Sequence, residues 1–76
     1  MNSETKVFLQ KLGKQIKVRR KELKVNQEVM ANEIGVDRKH LSAIENGRQN
    51  LTIETLFRVC DGLKIKVQDL LDKIEE

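Results

Sequence analysis

Residues 27–46 read QEVMANEIGVDRKHLSAIEN, and the fold turns on this stretch. Met30, Ile34, Val36, Leu41 and Ile44 are apolar and fall at steps that bring them to one side of two short helices. Ala31 stands where two helices touch closely. Gly35 stands where the first must stop, because glycine accepts a positive φ at little cost. Arg38, Lys39, His40 and Ser42 lie between the apolar positions and are left pointing away. The pattern is a helix–turn–helix, with one helix over 27–34 and a second over about 38–46.

Capping signals extend the reading in both directions. Asn26 suits the N-cap of the 27–34 helix; Asp37 suits that of the next, and Gly47 ends it. Upstream, Ser3 can cap a helix running from about residue 4 to 23, with Val7, Phe8, Leu12, Ile16, Arg19, Arg20 and Leu23 at three- and four-residue steps. Gly13 inside that helix costs up to ~1 kcal/mol relative to alanine, which points to close packing there. Downstream, the loop RQNL leads to Thr52, a cap for a helix with Ile53, Leu56, Val59, Cys60 and Leu63 on one face. Gly62 weakens its last turn. A final short helix, roughly 67–75, carries Val67, Leu70, Leu71 and Ile74. The expectation is an all-α, compact five-helix chain forming one domain over 1–76. There is no repeat, linker or low-complexity segment.

Composition agrees with a folded domain. Hydrophobic residues make up 38% and charged residues 36%, and proline, the commonest helix breaker, is absent. A domain this small buries only about 60% of its unfolded surface, so burial against a partner is a plausible source of extra stability. The single cysteine, Cys60, cannot form an internal disulfide; it reads as a small core residue in a reducing, cytoplasmic setting. No apolar N-terminal leader is seen, and no apolar run approaches the roughly 18 residues of a membrane span. Phe8 and Phe57 are expected in the core rather than as platforms for stacked bases. No metal site is expected, because His40 and Cys60 lack ligand spacing. No carboxylate cluster, Cys/His pair or phosphate loop suggests an enzyme, and no cofactor or small-molecule effector is implied.

Charge is distributed unevenly. Residues 1–48 hold 11 Lys/Arg against 6 Asp/Glu, while residues 49–76 hold 4 against 6, so balances of +5 and −2 make up the net +3. A basic half facing phosphate and a separate assembly half would account for this; a lysine-rich solvated surface is the alternative.

A short helix with a polar, basic outer face, braced by another helix, fits the DNA major groove. Arg38 is placed to contact guanine O6 and N7, worth about 1–3 kcal/mol of discrimination. Lys39 can read guanine, meet phosphate or stay in solvent; Ser42 also faces outward and Ala43 lies on the flank. Gln27, with the free backbone amides at its helix start, forms a phosphate clamp. Asn26 is a cap, a phosphate ligand, or both. Arg48 and Asn50 lie in a loop able to follow the DNA backbone, and His40 reads as a DNA-contacting or helix-surface side chain.

These residues carry a resemblance. Arg20, Asn26-Gln27-Glu28, Ala31, Gly35, Leu41-Ser42, Ile44-Glu45, Gly47 and Thr52 through Leu63 resemble the Cro-like (XRE) helix–turn–helix family, which includes phage repressors. The family implies a five-helix, phage-repressor-like fold that binds operator DNA as a dimer. It implies a phosphate-clamping role for Gln27 and base reading by Arg38, Lys39 and Ala43, whose methyl group could touch a thymine methyl. It implies a pair of Arg20 with Glu45, with Arg20 also turned toward phosphate, and a backbone contact at Asn46. Within the family, the run from Arg48 to Ile53 looks like that of restriction–modification controller proteins. His40 stands where tyrosine is frequent. Lys24 and Lys64 replace glycines often seen after helices one and four, and Lys66 replaces a usual capping serine.

One half-site covers few bases, so a homodimer on a near-palindromic operator is expected, with half-sites about 34 Å apart. Its expected surface spans about 63–75 and draws on Leu63, Ile65, Val67, Leu70, Leu71 and Ile74; the alternative is that all of these are intramolecular core. An autoregulating antitoxin, whose main role is to bind a protein, is a second functional reading.

Overall fold

Asn2, not Ser3, caps the first helix. In the computed structural model, which describes residues 2–74, the Asn2 side chain accepts from Thr5 N at 2.8 Å. Both residues are good caps, and the one-residue shift makes Ser3 the first helical residue of α1 (Ser3–Glu22). The helices α2 (Gln27–Ile34), α3 (Arg38–Glu45), α4 (Ile53–Leu63) and α5 (Val67–Ile74) follow. The last helix expected from the sequence extends to residue 75, which lies outside the described residues. No strand occurs among the described residues.

Local chemistry sets these limits. Asn26 Oδ1 accepts from Val29 N at 2.9 Å, which satisfies an amide at the start of α2. Gly35 then takes φ 76°, where a side chain is strained, and stops the helix. Thr52 caps α4 through Thr55 N at 3.1 Å. Asp37 occupies the cap position of α3 in extended conformation, but its side chain makes no capping bond.

The five helices close on one core. α1 packs against α3, α4 and α5, α2 against α3 and α4, and α4 against α5. Leu9, Leu12, Ile16, Met30, Ala31, Ile34, Leu41, Ile44, Val59, Cys60, Leu63 and Leu70 are buried, with Val36, Leu51 and Leu56 packed against them. Ala31 is buried where α2 meets the core. Gly13 is buried where α1 meets α3: a Cβ there would meet the carbonyl oxygens of Ile44 and Glu45.

Four apolar residues expected on inward faces are exposed. The inward face of α1 runs through Leu9, Leu12, Gly13, Ile16 and Arg20, so Val7 and Phe8 fall beside it. The inward arc of α4 is centred on Leu56, Val59, Cys60 and Leu63. Phe57 lies a 100° step from Leu56 and is 55% exposed, while Ile53, at the first turn, is 70% exposed.

Candidate nucleic-acid interface

Helix α3 divides cleanly into two faces. Leu41, Ile44 and Glu45 are buried; Arg38 and Lys39, in its first turn, are exposed. His40, Ser42 and Ala43 are half-buried on the flanks. Arg38 shares an open depression with Asn26, Gln27 and Glu28, so the start of α3 and the start of α2 address the same solvent space. Both helix starts direct unpaired backbone amides and a positive dipole end outward, an arrangement suited to an anion.

A buried ion pair sets this geometry. Arg20 Nε donates to Glu45 Oε2 at 2.7 Å and Nη2 donates to Glu45 Oε1 at 3.0 Å. Arg20 Nη1 donates to the Val25 carbonyl at 2.8 Å. The pair expected between α1 and α3 is therefore present, and it is bidentate. The expectation that Arg20 also turns toward phosphate is corrected: the residue is buried and its three guanidinium nitrogens are engaged inside the fold.

Gln27 joins the same carboxylate, since its Nε2 donates to Glu45 Oε1 at 3.0 Å. Nothing in the one-dimensional pattern announces this bond between residues 18 apart. It leaves one amide hydrogen of Gln27 uncommitted to Glu45. A second unforeseen contact comes from Arg19, whose Nε donates to the Leu63 carbonyl at 2.9 Å and whose Nη2 donates to the Lys64 carbonyl at 3.2 Å.

Past α3, Asn46 Nδ2 donates to the Ser42 carbonyl at 2.8 Å, and Arg48 N donates to the Ala43 carbonyl at 2.9 Å. Arg48 and Asn50 are exposed, and Asn50 Oδ1 accepts from Leu51 N at 2.9 Å. The structure thus brings Asn26, Gln27 and Arg38 together, with the rest of α3 and the following loop alongside.

The expected assembly surface needs revision. Leu63 and Leu70 are fully buried within the chain and are unavailable to a partner. Ile65, Val67, Leu71 and Ile74 are half-buried and packed against the core. Cys60 is buried too, and its thiol is pushed above the usual range by burial, with the Asp61 carboxylate adding to the shift. No group of three or more His, Cys, Asp or Glu is placed to hold a metal among the described residues, and none of their helices is long and apolar enough to cross a membrane.

Known proteins share this arrangement. The helix-turn-helix family model matches residues 16–70. The control protein C.MunI of Mycoplasma sp. is 36% identical over 60 residues, which are 79% of this chain and 81% of that protein. The ImmF control region 10 kDa protein of Bacillus phage phi105 is 47% identical over 49 residues, 64% of this chain and 54% of that protein. Among solved structures, the restriction-modification controller protein C.Esp1396I, crystallised as a tetramer with its natural 35 base-pair operator, superposes with a TM-score of 0.79 at 32% identity. That match covers 91% of this chain and 96% of the other.

Proposed function

The chain belongs to the Cro-like (XRE) helix–turn–helix family, and from that membership we propose that it regulates transcription by binding a specific duplex operator as a homodimer. The reading is of a restriction–modification controller type, cytoplasmic, and not of an enzyme. Its whole described length forms the DNA-binding domain. The observation that carries it is the exposed first turn of α3, with Arg38 and Lys39 outward beside Gln27 at the start of α2.

Roles divide by position. Arg38 and Lys39 read base edges from the N-terminal end of α3, with Ser42 and Ala43 meeting the groove from its flanks. Gln27 gives its free amide hydrogen to a phosphate, and Asn26, His40, Asn46, Arg48 and Asn50 line the path of the DNA backbone. Arg20 and Glu45 brace the reader and do not touch DNA.

Sequences selected from a random duplex library would supply the operator, and two variants test the division. Arg38→Ala should cost about 1–3 kcal/mol and relax preference at one base position, whereas Gln27→Ala should weaken all sequences alike and leave the salt slope nearly unchanged, because a neutral amide displaces no counterion. Equal effects on every operator variant would contradict the assignment.

The phage phi105 relative favours a second target for the same activity, a phage-type repressor acting on prophage promoters. Recovering the DNA bound in the source cell separates the two: a methyltransferase–endonuclease promoter supports the controller reading, and a prophage promoter the other.

A further inference from the structure

Helix α1 keeps its charges apart. At ~100° per residue, Lys6, Lys14, Lys17 and Lys21 fall within an arc of about 80°. The two acids of the helix, Glu4 and Glu22, project about 80–160° away from these lysines. All four lysines are exposed, and none takes part in an ion pair among the described residues. A helix face built only for solubility would mix the signs, since alternating charges stabilise it. We propose that Lys14, Lys17 and Lys21 form a separate grip on the phosphate backbone of the duplex, beside the bases that α3 reads.

The packing of α1 places this stripe. Gly13 borders the arc and is pressed against the carbonyls of Ile44 and Glu45, at the C-terminal end of α3. Gln10 lies within the arc, and its backbone is what a Cβ at Gly47 would meet. The stripe therefore adjoins the turn that carries the exposed Asn46 and Arg48. At its other end Lys21 follows Arg20, which reaches the Val25 carbonyl just before the start of α2. The lysines thus join two stretches already assigned to the DNA backbone into one cationic band, which attracts a polyanion.

Dimensions agree with this occupant. Lys14 to Lys21 rises ~10 Å along the helix, about the axial length of three phosphates on one strand. Arg38 and Lys39 read from the N-terminal end of α3, whereas the stripe adjoins its C-terminal end. The eight residues of α3 span ~12 Å, so the gripped phosphates lie about three or four base pairs from the bases read. Their recognition carries no sequence information.

The inference rests on the DNA-binding reading above, and the test separates the two. The probe is the duplex selected from the random library, its affinity measured over a range of salt. Replacing Lys14, Lys17 and Lys21 together by glutamine should make the slope of log affinity against log salt shallower by about 2.7 for each subunit, at ~0.9 per phosphate. The ratio of operator to non-operator affinity should stay the same. Arginine at the three positions should keep the native slope. A control chain with Lys11→Gln, Lys64→Gln and Lys66→Gln loses the same net charge outside the stripe and should also keep it. Circular dichroism checks that each chain is folded; all six lysines are exposed. Equal slopes for the native chain and the stripe variant overturn the grip, and so does an equal loss in the control, which would mean that net charge alone is felt. A native chain that selects no duplex from the library overturns the DNA-binding reading itself.

Discussion

Gln27 and Arg20 share one oxygen. Glu45 Oε1 accepts from Gln27 Nε2 at 3.0 Å and from Arg20 Nη2 at 3.0 Å. A single carboxylate, its side chain 1% exposed, thereby joins α1, α2 and α3. The bidentate guanidinium neutralises the buried charge, and the amide occupies a further lone pair. The Gln27 side chain is consequently held in place, so in the proposed role of phosphate ligand it would lose less freedom on binding.

That coupling predicts non-additive losses. Glu45→Gln should lower stability by about 3 kcal/mol, since it leaves a buried guanidinium without its counter-charge. Gln27→Ala should cost less than about 1 kcal/mol in stability. In affinity for operator DNA, measured at a temperature where all variants are folded, Gln27→Ala should weaken the native chain but add little to Glu45→Gln. Additive affinity losses would show that Gln27 works without Glu45.

Gly13→Ala tests the close approach of α1 and α3. In a solvated helix the change would be favourable by up to ~1 kcal/mol. Here the new methyl group would meet the Ile44 carbonyl and stand 2.6 Å from the Glu45 oxygen, both backbone atoms that cannot swing aside. A loss of about 3 kcal/mol is expected, which in a domain of this size lowers Tm by roughly 12–24 °C. An unchanged or higher Tm would contradict the packing.

How far the sequence foretells this molecule depends on the range of the interaction. The limits of α2 are readable because Asn26 and Gly35 act within a turn of where they stand. The inward Leu41 and Ile44, and hence the outward Arg38 and Lys39, follow from spacing alone. The Arg20–Glu45 pair is legible in the family pattern, not in periodicity. Phe8 and Phe57 mislead because apolar character does not say whether a neighbouring helix exists on that side. Leu63 and Leu70 mislead in the opposite sense: a helix end that resembles an assembly surface fills the core of its own chain. The Gln27–Glu45 bond depends on how three helices cross and leaves no local trace.

Cys60 gives the fold a pH dependence. Its folded thiol holds its proton more tightly than usual, through burial first and the Asp61 charge second. The unfolded chain releases that proton near pH 8.5, while the folded chain does not. Stability should therefore be full below that value and fall as pH rises through the ordinary thiol range toward the raised folded value. Denaturation midpoints between about pH 7 and 10 should decline more steeply for the native chain than for Cys60→Ala. Equal slopes would dismiss the effect.

Lys64 carries a backbone conformation that suits glycine. Its φ is 55°, and it follows the end of α4, whose terminal carbonyls are clamped from across the fold by Arg19. The clamp holds the Leu63 and Lys64 oxygens in place, so the chain turns here whatever residue is present. The left-handed region costs a non-glycine residue about 1–2 kcal/mol, whereas glycine adds unfolded-state entropy worth about 0.4–1 kcal/mol. Relief of strain outweighs the added entropy. Lys64→Gly should stabilise by about 0.5–1 kcal/mol, raising Tm by roughly 2–8 °C, while Lys64→Ala should give no gain because its Cβ meets the same strain. Equal Tm values for the two variants would mean that the turn stores no strain and that the clamp, not residue 64, sets the energy of the α4–α5 corner.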